Sequence, residues 1–531
     1  MYRRTGALVA AGAAVTGLIA GAPSTATAGP AGPRPAGAAL TWRSCATDEH
    51  PRLECAQLKV PLDHARPGGR QITLALSRVR HTARTFQGPL LVNPGGPGAS
   101  GLKLAGFVAA SLPAKVAAQY DVIGFDPRGV GASRPALNCK PGHFAPVRPD
   151  SVPRTRKEEM ANLRRASAFT KGCAAKYGDV LPHMNTVSTA RDMDAVRRAL
   201  GARQISYFGY SYGTYLGAVY AKYFPNRVRR AVLDSVVNPK GVWYGANLDQ
   251  DLGFDVRHKA FAAWVARHDT TYRLGSDPAR VEAAWYAMRE ALRREPAGRK
   301  VGPGELEDTF LPGGYYDGFW PHLAEAFAAY VNRKDARPLV EAYENFGAPD
   351  SERDNSYSVY TAVQCRDAAW PRDWNNWRKD NWQIHAKAPF STWNNAWYNA
   401  PCATWPVPPL RPTDVSNVAL PPVLIFQATD DAATPYEGGV AVHHRLHSSR
   451  LIVEEGGGNH AVTLGGNRCL DRYLTDYLAT GKVPASSTTG EADAVCARTP
   501  EPKPLKPTAR AGATDAARAG AALHRALGHR N

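Results

Sequence analysis

The sequence predicts an α/β fold, a mostly parallel sheet with helices on both faces, interrupted by a large and mainly helical cap inserted between sheet strands. Three observations carry this. Short apolar strands alternate with helical patterns before residue 237 and again after residue 419. Those strands end in glycine turns. Between them, over residues 238–418, the chain is rich in Trp, Tyr, Asn and Ala, and no run resembles a buried parallel strand. Strands that alternate with helices pair in parallel, because the helix is the crossover that returns the chain to the same edge.

The elements follow in order. Arg3 and Arg4, the uncharged apolar run 6–21 and Ala26-Thr27-Ala28 read as an export signal with its cleavage site, so 1–28 is expected to be removed. The apolar run is too short, and too rich in Gly and Ala, to anchor in a bilayer, and no later segment spans one. Residues 29–39, rich in Pro, Gly and Ala, read as a pro-segment or flexible arm. Residues 40–237 form the first part of the sheet domain, with strands expected at 70–79, 89–92, 120–125, 204–208 and 230–234. Residues 238–418 form the cap, with helical patches at 281–294 and 323–331. Residues 419–498 complete the sheet with strands at 421–426 and 450–454. The Pro-, Ala- and Arg-rich tail 499–531 is expected to be disordered apart from one helix near 521–527. A chain of 531 residues exceeds what one hydrophobic core usually organises, about 250–300 residues.

The formal net charge is +18 and the pI about 9.6. The basic residues are scattered, with no stripe interleaved with aromatics, which excludes a nucleic-acid binder. Weak adhesion to an anionic cell wall and a merely basic surface both remain open. Eight cysteines, none in a C-x-x-C pair, exclude a zinc ribbon and a thioredoxin-type redox site. In an exported chain the simplest pairing joins neighbours, Cys45–Cys55, Cys139–Cys173, Cys365–Cys402 and Cys469–Cys496. Eight cysteines allow 105 pairings, so sequence alone does not fix it.

The chemistry centres on Gly209-Tyr210-Ser211-Tyr212-Gly213, between an apolar strand and a helical segment. A Gly-x-Ser-x-Gly in that position is a nucleophile elbow, which leaves the serine hydroxyl at a helix N-terminus. A serine alcohol needs a base, the base needs an orienting carboxylate, and the oxyanion needs donors. Asp431, after strand 421–426, is the carboxylate, with adjacent Asp430 as competitor. His460, in Gly456-Gly457-Gly458-Asn459-His460 after the last strand, is the base. The order Ser211, Asp431, His460 is that of the α/β-hydrolase fold. The oxyanion donors are the amide of Tyr212 and one in the turn Asn93-Pro94-Gly95-Gly96-Pro97-Gly98. Pro97 has no N–H, so Gly96 leads and Gly95 follows. Asp126 and Arg128 read as structural. No metal-ligand spacing, phosphate loop or cofactor motif occurs.

Taken together, these motifs resemble the proline iminopeptidase-related α/β-hydrolases. The phrases 211–239 and 243–250, and the stretch 469–484, are similar to the secreted bacterial tripeptidyl aminopeptidases of that group. The chain departs from the pattern at Asn93-Pro94 and at Asn459, near the first substrate subsites. The resemblance implies a secreted serine peptidase that cleaves peptides from their free N-terminus through an acyl-enzyme. Such an enzyme needs an anion in the cap to hold the substrate ammonium. Three extended residues span about 10 Å at about 3.3 Å each, which sets the distance for a tripeptide. Asp249 and Asp251, just past the sheet-to-cap junction, are the leading candidates, with Glu325 and Asp367 behind them. The cap tryptophans (Trp370, Trp374, Trp377, Trp382, Trp393, Trp397) are core or channel lining. A secreted esterase or lipase with the same triad is the nearest rival. A non-catalytic wall-binding protein is the rival of another class.

Overall fold

The computed structural model describes residues 40–488, 491–505 and 515–527. The expected signal peptide and the 29–39 arm lie outside these. Ten strands form one sheet in the order β1-β2-β3-β5-β4-β6-β7-β8-β9-β10. They are β1 (Arg43–Ser44), β2 (Leu53–Pro61), β3 (Gln71–Val79), β4 (Gly88–Asn93), β5 (Tyr120–Asp126), β6 (Ile205–Tyr210), β7 (Val228–Asp234), β8 (Val423–Ala428), β9 (Ser449–Glu455) and β10 (Ala494–Ala497). The β1–β2, β2–β3 and β3–β5 pairs are antiparallel, and every other pair is parallel. This is the α/β-hydrolase arrangement.

The seven expected strands are β3 to β9. Sequence reasoning missed β1, β2 and β10. In β2, Lys59, Gln57 and Glu54 interrupt the apolar residues, because that strand pairs antiparallel with β3 and keeps one face partly open. β10 is short and mostly exposed, and the Cys469–Cys496 disulfide ties it to the preceding helix. All four disulfides join sequence neighbours, as the simplest pairing has it.

Alternation along the strands fills a core on each face. Leu91 and Ile123 point to one, with Leu216 of the helix Tyr212–Tyr223. Leu90, Val92, Val122 and Phe208 point to the other, with Phe107 of the helix Leu102–Ser111. The register brings Asn93 beside Gly209 and Tyr210 beside Asp234, so the C-terminal ends of β4, β6 and β7 meet along one rim. Ligands of parallel sheets bind at that rim.

Between β7 and β8 the chain is helical, from the long helix Tyr244–Arg267 to the helix Thr392–Asn399. This insertion has its own core of Trp264, Trp285, Phe310 and Trp320, which Ala432 and Ala433 join from the turn after β8. The six cap tryptophans stack on one another, as in Trp374 on Trp377 at 5.6 Å and Trp393 on Trp397 at 5.4 Å. None of them lines the cavity that Ser211 lines, and Trp382 is exposed at the surface.

The tail departs from the expected disorder where it is described. Trp264 Nε1 donates to Pro502 O at 2.9 Å, and Arg267 pairs with Glu501 at 2.6 Å. The helix Asp515–Ala526 buries Leu523 in the same core as Phe107, and His524 stacks on Tyr316 at 4.4 Å. Leu523 and Leu527, four apart, share one helix face, a signal that the Ala- and Arg-rich composition obscures. No described helix is long and apolar enough to cross a membrane.

Candidate active site

The turn after β6 puts Ser211 at φ 56° and ψ −128°. Residues with a Cβ seldom occupy this region and need surrounding structure to hold them there. Ser211 N–H donates to Asp234 O at 3.0 Å, and Thr214 N–H donates to Ser211 O at 2.8 Å. The flanking glycines are forced by contact. A Cβ on Gly209 would lie 2.5 Å from Gly213 O, and one on Gly213 would lie 2.9 Å from Asn93 O. The helix begins at Tyr212, so the Ser211 hydroxyl stands at the positive end of its dipole.

Asp431 and His460 meet across the turns that follow β8 and β9. His460 Nδ1 lies 2.8 Å from Asp431 Oδ2 and 3.0 Å from Oδ1. Asp431 Oδ1 also accepts from Ala433 N–H (2.9 Å) and Thr434 N–H (3.0 Å), and Thr434 Oγ1 donates to Oδ2 at 2.9 Å. Both side chains are buried, at 3% and 2% exposure. Asp430 is exposed, and its hydrogen bond to this region runs through its backbone N–H to Gly457 O. The geometry thus separates the two adjacent acids.

Residues that sequence reasoning did not single out mould the His460 turn. Asp234, fully buried at the end of β7, accepts from Val462 N–H at 3.0 Å and Thr463 N–H at 2.8 Å. Burial raises its carboxyl above the ordinary range, opposed by those hydrogen bonds. Ser235 Oγ accepts from Ala461 N–H at 2.7 Å. From the insertion, Tyr315 O accepts from His460 N–H at 2.8 Å, and the Tyr315 ring meets the imidazole edge-on at 5.5 Å. A carboxylate closing a buried strand was the one signal available for Asp234. For Tyr315 there was none.

Ser211, Tyr212, Gly96 and His460 all line one cavity of about 2210 Å³. That is larger than the roughly 300–1,000 Å³ typical of small-molecule pockets, and it leaves room for an extended peptide. Among the described residues no hydrogen bond within 3.5 Å joins the Ser211 hydroxyl to His460. In unliganded sites such bonds are commonly long and tighten when substrate is bound. The Gly95 N–H is committed to Asn93 Oδ1 at 3.0 Å. Gly96 N–H meets no acceptor among the described residues, and Gly96 and Tyr212 both line the cavity. Asp126 and Arg128 brace the neighbouring loop. Asp126 Oδ1 accepts from Ser100 Oγ at 2.6 Å, and Arg128 makes a two-pronged bond to Asp192 at 2.8 and 2.7 Å. No described cluster of three or more His, Cys, Asp or Glu is arranged to hold a metal ion.

The candidate ammonium-binding acids separate cleanly. Asp249 lines the cavity and is exposed. Asp251, two positions along the same helix, is 1% exposed, accepts from Asn395 Nδ2 at 2.9 Å and does not line it. Two helical positions are about 200° apart, so both cannot face one cavity. Glu325 and Asp367 do not line it either. Asp367 is buried, accepting from Thr186 N–H at 2.8 Å. The structure adds Glu437, from the first turn of the helix Tyr436–His443, to the cavity wall. Partial burial, and then the charge of Glu437, raise the Asp249 carboxyl above its ordinary value.

Comparison with known proteins bears on this arrangement. The family profile described as TAP-like protein matches residues 388–496. The chain is 44% identical over 488 residues to the tripeptidyl aminopeptidase of Streptomyces lividans, covering 89% of each. The chain belongs to the tripeptidyl aminopeptidase family. It is also 33% identical over 477 residues to serine protease Hip1 of Mycobacterium tuberculosis, covering 85% of this chain and 90% of that one. A third relative, carboxylesterase B of the same species, is 33% identical over 470 residues, covering 84% and 89%. This member of the tripeptidyl aminopeptidase family is accordingly a serine hydrolase, and its family is one of peptidases.

Proposed function

We propose that the protein is an exported aminopeptidase that releases short peptides, tripeptides above all, from the free N-terminus of its substrates through an acyl-enzyme. One observation carries the reading. His460, held by the buried Asp431, lines the same cavity as the elbow serine, and Asp249 and Glu437 stand in that cavity's wall. In this reading Ser211 attacks the scissile carbonyl while His460 Nε2 takes its proton. Asp431 holds the other imidazole nitrogen and stabilises the imidazolium. The amides of Tyr212 and Gly96 receive the oxyanion. His460 returns the proton to the leaving amine, and water then releases the acylated short peptide. Residues 238–418 act as the cap that presents Asp249 to the substrate ammonium, with Glu437 on the sheet side. The N-terminal signal and four disulfides fit an oxidising compartment outside the cytoplasm.

The test is a mass-spectrometric digest of a long peptide, run free and N-acetylated. Tripeptides leaving the free peptide only are expected. Equal cleavage of both forms would end the exopeptidase reading. The relative named for carboxylesterase activity favours a second reading, ester hydrolysis by the same site. Turnover of p-nitrophenyl esters without turnover of tripeptide anilides would select it. A fluorophosphonate that fails to label the protein would leave only the non-catalytic alternative.

A further inference from the structure

One stripe of the helix Tyr244–Arg267 runs along the whole site. Asp249 reaches the cavity. Gln250 Nε2 donates to Ala433 O at 2.5 Å. Gly253 lies so close to Ala432 that a Cβ would come within 2.8 Å of its Cα. Phe254 packs on Tyr315 with ring centroids 5.0 Å apart. These positions recur every three or four residues, and the next is Arg257.

Arg257 is 6% exposed and has no carboxylate within 4.0 Å. Its Nε and Nη2 donate to no protein atom among the described residues. The guanidinium lies over the Trp320 ring at 4.9 Å and close against Gly458, where a Cβ would fall 2.1 Å from Nη1. Gly458 is two residues before His460. The carboxylates of Asp317, Asp430, Asp431 and Glu501 face the guanidinium at longer range. Asp317 N–H in turn donates to Asn459 Oδ1 at 2.9 Å. Glu501 is already paired with Arg267 and Arg498. A buried cation that pairs with no carboxylate acts through the field, and most strongly on the buried Asp431, where the interior screens weakly.

We infer that Arg257 is a positioning residue for the reaction: a buried guanidinium without a carboxylate partner, laid on Gly458 two residues before His460, it sets the field in which His460 takes up its proton. The inference rests on the proposed triad. Without the cation, Asp431 acts on the imidazole with less opposition and favours imidazolium, so the base is blocked to higher pH.

The test is the pH dependence of kcat/KM per fluorophosphonate-labelled site, on a free tripeptide anilide. Arg257→Met is expected to move the acid limb up by about one pH unit and to lower activity about ten-fold below it, with recovery at alkaline pH. Arg257→Lys keeps the charge and is expected to keep the limb. A purely structural role would instead lower the labelled fraction and leave the limb fixed in both variants. Asp430 is exposed, so Asp430→Asn tests the same field without endangering the fold. It is expected to move the limb down. A limb that stays put in Arg257→Met overturns the role of Arg257 alone. Failure of the wild-type protein to label at Ser211 overturns the triad, and this inference with it.

Discussion

The sheet and the helical insertion build the two sides of one cavity by different means. On the sheet, each proposed reactive group follows a strand end, and the nucleophile and the acid are held by neighbours in sequence. Thr214 holds Ser211, and Ala433 and Thr434 hold Asp431, while the His460 turn is held from β7 by Asp234 and from the insertion by Tyr315. In the insertion, the groups come from a helical stripe whose partners are far away in sequence, such as Gln250 on Ala433 and Asp251 on Asn395. The chemistry is written locally, and recognition is written by packing.

The largest effect expected follows from that division. Ser211→Ala should lower kcat about 10⁵- to 10⁶-fold on every substrate, whatever its N-terminus, since the nucleophile serves all of them. Steady-state kinetics on free and blocked peptides check it. A loss confined to free-amine substrates would mean that the sheet side also recognises, and the contrast would break.

The same division governs what was legible. The elbow, Asp431, His460 and Gly96 could be read because each sits in a short glycine- or proline-marked turn after an apolar run. The seven strands were equally plain, being buried on both faces. β2 was not, because its half-open face carries Lys59 and Glu54. Asp251 looked as good as Asp249 because sequence gives a helix but not its rotation. Tyr315, Glu437 and Arg257 carried no signal, since their roles depend on where a long insertion folds back onto two turns. The tail helix was expected, but its burial was not, because Leu523 and Leu527 stand among alanines and arginines.

A second prediction sharpens the sheet side. Glu454, in β9, is 3% exposed, and burial pushes its carboxyl up to about 7, opposed by hydrogen bonds from Asn467 and Thr499 N–H. Its carboxylate lies under the glycine turn, where a Cβ on Gly457 would fall 2.2 Å from Oε2. Because the folded value lies above the unfolded one, the folded chain keeps a proton that the unfolded chain releases. The stabilisation is complete below about pH 4.5 and is lost as pH rises to about 7, amounting to about 3 kcal/mol. Glu454→Gln should flatten that slope in urea melts taken at pH 5 and pH 8. An equal slope in both proteins would show that the turn holds the group differently.

On the insertion side the effects shrink and become selective. Asp249→Asn should raise KM about ten-fold for free-amine peptides, worth about 1.4 kcal/mol, and leave kcat nearly unchanged. N-acetylated peptides, poor from the start, should be indifferent to it. A fall in kcat instead would move Asp249 from recognition to chemistry.

The smallest effect belongs to Asp251, and it is the sharpest control. It lies on the same helix two residues on, but turned into the packed interior beside Asn395. Burial raises its carboxyl well above the ordinary range, which favours the neutral form. An amide of the same shape therefore replaces it at a cost below about 1 kcal/mol. Asp251→Asn should leave KM within a factor of about two for free and blocked peptides alike, with any change confined to the melting curve. If Asp251→Asn raised KM as Asp249→Asn does, the helix would have to present both carboxylates to the substrate. A rotation of about 200° between them forbids that unless the insertion rearranges when the peptide enters.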